Sequence, residues 1–169
     1  MKLSGSYATH LGPLIACMNK TKGDVLEMGM GLFSTPYLHY ACTLGERNLL
    51  SLDNDWAWVR NYAESDFAHY LYRNKYHRIE YVEDWNKADI EKEWDVVLVD
   101  QTPDLARKES VKRLANLAQY IIIHDSNERH EKNYHYSEIY PLFQYKKVWD
   151  LDDRWATVLS NFRVLEDLW

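Results

Sequence analysis

Five short apolar runs recur along the chain, and each closes on an acid. They lie at 24–28, with Glu27 in the run, at 48–52 before Asp53, at 77–82 before Glu83-Asp84, at 95–99 before Asp100, and at 120–123 before His124-Asp125. Short runs of this kind read as strands of a sheet buried on both faces. Helical stretches separate them. Residues 7–20 place Leu11, Leu14, Ile15 and Met18 on one face, and 35–44 precedes Gly45. Residues 56–72 are helical with a break near Ser65-Asp66, and 108–119 turns Val111, Leu114, Leu117 and Ala118 inward. Two runs at 145–151 and 156–161, joined by Asp152-Asp153-Arg154, read as a hairpin. This order predicts an α/β fold: a mostly parallel sheet with a C-terminal antiparallel hairpin and helices on both faces. With no repeat, low-complexity tract or linker, 169 residues predict a single domain over 1–169.

Open sheets of this kind bind ligands beyond the carboxyl ends of their strands. The turn after the first strand is the richest such place. In Val25-Leu26-Glu27-Met28-Gly29-Met30-Gly31-Leu32-Phe33-Ser34-Thr35-Pro36, two glycines let the backbone turn sharply and approach a ligand. Ser34 or Thr35 can cap the next helix, and Pro36 suits its first turn. Backbone N–H groups then face the bound molecule. A nucleoside-containing ligand is expected. A dinucleotide fingerprint would need a third glycine where Ser34 stands, which argues against a nicotinamide-dependent oxidoreductase. Asp53, 24 positions after Gly29, can accept both hydroxyl protons of a ribose.

The run Glu27-x-Gly29-x-Gly31-x-x-Ser34-Thr35 resembles motif I of the class I S-adenosylmethionine (SAM) methyltransferases, and the order of elements resembles their fold over nearly the whole chain. The resemblance implies SAM as cofactor. Glu27, Gly29, Gly31 and Ser34 would surround its methionine end, and Thr9 and His10, next to Tyr7, would reach its carboxylate. Asp53 would hold the ribose, Asp84 the adenine amino group, and Trp85 would cover the ring. Asp100 would stand near the sulfonium. The segment Ile122-Ile123-His124-Asp125 resembles methyltransferases of sugars and secondary metabolites. The implied activity is O-methylation of a small polar acceptor, a sugar hydroxyl or glycan terminus. Protein or amine N-methylation, and SAM binding without catalysis, are the alternatives.

His124, Asp125 and Asp100 are the candidate catalytic residues. Imidazole titrates near neutrality, so His124 suits a base. On a continuing strand, His124 and Asp125 would point to opposite faces. Metal-dependent relatives place an acid after the fourth strand and an Asp-Asn pair after the fifth. Here Asp100, Asp125 and Asn127, with Ser126 splitting the pair, would hold magnesium or manganese. The polar stretch 127–136, with His130, Tyr134, His135 and Tyr136, is a candidate lid touching a sugar.

The net charge of −6 and the short, interrupted basic stretches at 73–78 and 107–113 argue against a nucleic-acid partner. So does the absence of an Asn/Asp-Pro-Pro-Tyr/Phe run and of a Pro-Cys dipeptide. No apolar run approaches the roughly 20 residues of a membrane span, and Met1 to Ser6 lacks a signal-peptide core, which predicts a cytoplasmic chain. Cys17 and Cys42 are expected as buried free thiols. Without an inserted recognition domain, an open cleft, a homodimer or a larger assembly would complete the acceptor site.

Overall fold

The computed structural model describes residues 5–63, 75–151 and 154–169. Seven strands form one sheet: β1 (Val25–Met28), β2 (Leu49–Asp53), β3 (His77–Tyr81), β4 (Trp94–Val99), β5 (Ala118–His124), β6 (Tyr145–Trp149) and β7 (Ala156–Ser160). Their order is β3-β2-β1-β4-β5-β7-β6. The first five are parallel, and β7 runs antiparallel to both β5 and β6. The expected hairpin is present, and its Asp152-Asp153 joint lies outside the described residues.

Alternation along the strands sorts side chains onto two faces. Leu26, Met28, Val97, Val99, Ile121 and Ile123 pack with Val111 and Leu114 of a helix spanning Asp104–Leu114. Val25, Val96, Leu98, Tyr120 and Ile122 pack instead with Leu14, Cys17 and Met18 of α1 (Leu11–Asn19) and with Leu38 and Cys42 of α2 (Ser34–Leu44). A third helix, α3 (Trp56–Ala63), sets Val59 and Tyr62 against Met30, Ile79 and Tyr81. The Asp104–Leu114 helix is α4, and a single turn at Glu131–Tyr134 is α5. Cys17 and Cys42 are buried free thiols, as expected.

Several predicted boundaries are corrected. The helix expected at 7–20 is a 3-10 turn at Gly5–Ala8 followed by α1 from Leu11. Pro13 supplies no N–H and sits in the first turn of α1, where none is needed. Ile15 is 39 % exposed, so the buried face of α1 is Leu14, Cys17 and Met18. The helix at 108–119 begins at Asp104 and ends at Leu114. Its last turn closes through Leu117 N to Leu114 O (2.9 Å), which frees Leu117 O to accept from Trp94 N and Ala118 to open β5. Residues 64–72 of the third predicted helix lie outside the described residues.

The strand order reverses at β1, with β2 on one side and β4 on the other. Ligand crevices form at the carboxyl end of such a reversal. The glycine turn after β1 and Asp100 after β4 meet there: Asp100 N donates to Met28 O (2.8 Å).

Candidate active site

Gly29 has a φ of +90°, a region that side chains strongly disfavour. A Cβ on it would lie 2.5 Å from Asp100 C and Gln101 N. Gly31 differs, since a Cβ there would meet only Ser34 Oγ at 3.4 Å. Gly29 is therefore required by the fold, while Gly31 leaves open space. Neither Ser34 nor Thr35 caps α2, contrary to expectation. The cap position is Phe33, with no side-chain bond. Thr35 Oγ1 instead accepts from Gly31 N (2.9 Å) and donates to Glu27 Oε1 (2.9 Å), tying the turn to the sheet.

Glu27 is fully buried, and Ser51 Oγ donates to its other oxygen at 2.6 Å. Burial lifts its carboxyl to about 7, against hydrogen bonds from Ser34, Ser51 and Thr35. The folded chain therefore binds the proton more tightly than the unfolded chain between pH 4.5 and 7. Stability from this group is fully present below the lower value and is lost as pH rises through the upper one. The stability difference between wild type and Glu27→Gln should change by roughly 3 kcal/mol in favour of the variant between pH 4 and 8. Urea unfolding of both proteins across that range checks this.

Asp53 is buried and accepts from Met30 N (2.7 Å) and Asp55 N (2.8 Å). Burial pushes its carboxyl up, and those N–H bonds pull it back. Beside it, Trp56 stacks on Tyr81 with ring centroids 4.1 Å apart. Asp84 accepts from Asn86 N and lines a cavity of about 660 Å³ with Leu52, Tyr81 and Val82. Trp85 departs from the expectation. It is 5 % exposed within the core, and its indole N–H donates to Thr102 O (2.6 Å), so no open face remains to cover a ring.

The second half of the site centres on His124. Its Nδ1 lies 3.1 and 3.2 Å from the two Asp100 oxygens, and its Nε2 lies 2.9 Å from Thr9 Oγ1. His10 packs edge-on against it, with ring centroids 4.8 Å apart. Burial drives the His10 imidazole down to about 4, although Asp100 pulls it upward. Burial also pushes the Asp100 carboxyl up, but His124 and Arg107 outweigh this and hold it well below the usual carboxylate range.

Arg107 organises the cluster, and sequence reasoning missed it. It is 4 % exposed and lies 2.9 Å from Asp100 Oδ1 and 3.6 Å from Asp125 Oδ2. It also donates to the carbonyls of Gln101, His124 and Asp100. The basic stretch 107–113 is thus not a uniformly solvated face. The signal was available: Arg107 precedes the inward Val111 and Leu114 by four and seven residues, which is one helix face.

β5 ends at His124, and Asp125 turns the chain with a φ of +56°. His124 and Asp125 therefore do not alternate across the sheet; Asp125 Oδ2 lies 3.9 Å from His124 Nδ1. Asp125 is committed elsewhere. It accepts from Arg154 (2.8 Å) and Tyr134 Oη (3.2 Å) and pairs with Arg107. Of the expected oxygen set Asp100, Asp125 and Asn127, the Asp125 carboxylate is thus occupied by Arg154, Tyr134 and Arg107. The stretch 127–136 is not a lid with its tyrosines over an acceptor. Tyr134 and Tyr136 are buried and stacked (5.1 Å), Arg107 lies over the Tyr134 ring (4.6 Å), and Tyr136 Oη donates to His124 O (3.1 Å).

The sheet order matches a known architecture. No protein-family model matches the chain, and no curated protein matches it in sequence. Solved structures do match. A Klebsiella pneumoniae protein assigned as an O-methyltransferase aligns over 90 % of this chain and 79 % of its own, with a TM-score of 0.62 and 13 % identity. The methyltransferase domain of bacterial CtHen1-CN aligns over 92 % of this chain and 99 % of its own, with a TM-score of 0.63 and 10 % identity. The fold is that of the class I SAM-dependent methyltransferases. A Staphylococcus aureus protein assigned as a caffeoyl-CoA O-methyltransferase shares the same methyltransferase fold over 91 % of this chain and 83 % of its own, with a TM-score of 0.61 and 15 % identity. Among the described residues, no helix of this methyltransferase fold is long and apolar enough to cross a membrane.

Proposed function

We propose that the chain, working as one cytoplasmic domain, is a SAM-dependent O-methyltransferase whose acceptor is a small polar molecule, a sugar or glycan terminus. The observation that carries this reading is the meeting of two features at one sheet end. The Gly29 turn lies directly against Asp100, and Asp100 holds His124.

On the cofactor side the residues fit the group. Gly31 leaves room beside the turn, Asp53 retains lone pairs for ribose hydroxyls, and Asp84 borders a cavity within the size range of small-molecule pockets. Trp56 and Tyr81 replace Trp85 as the aromatic surface near the ribose acid. When bound, SAM supplies a methyl group on a cationic sulfur. Asp53→Ala should raise the dissociation constant for S-adenosylhomocysteine about 10- to 100-fold, the loss of one or two charge-assisted hydrogen bonds. Isothermal calorimetry reads this directly, and an unchanged affinity would remove Asp53 from the cofactor site.

On the acceptor side, His124, oriented by Asp100 through Nδ1, takes the hydroxyl proton at Nε2, where Thr9 Oγ1 now stands, while the oxygen displaces the sulfonium sulfur from the methyl group and S-adenosylhomocysteine leaves. Methyl displacement needs an aligned nucleophile above all. Arg107, always charged, fixes Asp100 in place. Asp125 acts as a positioning residue that anchors Arg107 and Arg154. The test is release of S-adenosylhomocysteine from SAM over a panel of sugars, phenols, amines and peptides. Turnover restricted to hydroxyl acceptors is expected. Turnover of amines alone would overturn the O-methylation reading.

A further inference from the structure

His10 is 3 % exposed, and neither of its ring nitrogens has a hydrogen-bond partner. An imidazole buried without partners is costly, and such a group calls for an explanation. The bonding already described does not supply one. Thr9, next to it, spends its hydroxyl on His124, and Asp100 spends its oxygens on His124 and Arg107. The orphan ring nevertheless points into that cluster. One ligand atom each from His10, Asp100 and His124 lies within 4.8 Å of the others.

We infer that His10, Asp100 and His124 form a divalent-cation site built from two imidazoles and one carboxylate. This deepens the methyl-transfer reading and rests on it for the role of the ion, though not for its binding. First-row ions bond nitrogen and oxygen at about 2.0–2.2 Å, so ligand atoms on opposite sides stand up to about 4.3 Å apart. With the three atoms within 4.8 Å of one another, at most about 0.5 Å of closure reaches that span. Two nitrogen donors select manganese, iron, cobalt or zinc over magnesium and calcium, which prefer all-oxygen sets.

The surroundings suit such a site. Metal-bound imidazoles usually give their second nitrogen to an oxygen, and Thr9 Oγ1 stands 2.9 Å from the far nitrogen of His124. Arg107 orients Asp100 through Oδ1, while Oδ2 stands 3.2 Å from His124 Nδ1, within the cluster. Asp100 is 24 % exposed at its side chain, so the cluster opens to solvent through the carboxylate. A bound ion there would take the acceptor oxygen as a further ligand and lower its pKa.

The test is calorimetric titration of chelator-treated protein with manganese, zinc and magnesium chlorides in the absence of SAM. Saturable binding of manganese or zinc at one ion per chain, with magnesium at least 10-fold weaker, is expected. His10→Ala should weaken it at least 10-fold, while Asn127→Ala should stay within two-fold. Circular dichroism and thermal melting check that both variants fold. Should His10→Ala fail to fold, electron spin echo spectroscopy of manganese bound to wild type answers the same question. Nitrogen couplings from two imidazoles support the site; an oxygen-only environment overturns it. No saturable binding of manganese or zinc also overturns it, as does binding lost in Asn127→Ala and kept in His10→Ala. Metal binding without affinity for S-adenosylhomocysteine would leave this site standing and remove the methyl-transfer reading. Cofactor affinity without metal binding would do the reverse.

Discussion

His124→Ala is expected to lower kcat for methyl transfer by about 10²- to 10⁴-fold, the usual contribution of a positioned proton-handling group. Its affinity for S-adenosylhomocysteine should stay within a few-fold. The reason is geometric. His124 touches Asp100 and Thr9, whereas Asp53 ends β2 and the Gly31 turn follows β1. Losing the ring removes the partner of the Asp100 carboxylate and, on the proposed reading, the group that takes the hydroxyl proton, without touching the glycine turn after β1. Removal of a buried, bonded ring also costs stability, so the assay is run well below the melting temperature of the variant. Undiminished kcat in His124→Ala would contradict its placement in the reaction centre. A large loss of cofactor affinity with kcat unchanged would move it to the cofactor side.

The second large effect is on folding. Gly29→Ala should destabilise the chain by about 3 kcal/mol or more. A left-handed backbone costs a side-chain-bearing residue about 1–2 kcal/mol. The new Cβ would also press on the Asp100 and Gln101 backbone at 2.5 Å, and overpacking of this kind costs about 1–3 kcal/mol. Relief would require β1 and β4 to separate at the site. Gly31→Ala is the matched control, because its Cβ meets only Ser34 Oγ at 3.4 Å and its φ is not positive. It should fold within about 0.5 kcal/mol of wild type and yet bind S-adenosylhomocysteine more weakly, since the methyl group fills space beside the turn. Denaturant melts of the two variants separate a glycine kept for the backbone from one kept for a ligand.

Much of this fold was legible because its signals are local. β1, β4 and β5 are short apolar runs, as expected of strands buried on both faces. The C-terminal hairpin was legible from two runs around a polar joint. Boundaries were less so. The end of α4 depends on Trp94 pairing with Leu117, a contact 23 residues apart that no helical pattern reports. The acids at strand ends were legible as such: Asp53 closes β2, Asp100 follows β4 and His124-Asp125 closes β5. What joins them through long-range pairing was not legible. The partnership of Thr9 with His124 spans 115 residues. Arg107 looked like part of a charged surface because its charge is compensated by acids on other strands. Trp85 next to Asp84 suggested a ring platform, but its indole fills the core, while the exposed stack of Trp56 on Tyr81 joins residues from α3 and β3.

The central claim is that the carboxyl end of this sheet binds SAM. Calorimetric titration of the purified chain with S-adenosylhomocysteine, with NAD as the control, tests it most directly. Saturable binding at one molecule per chain, with no heat from NAD, is the predicted result. Binding of NAD, or no saturable binding of S-adenosylhomocysteine, would contradict it.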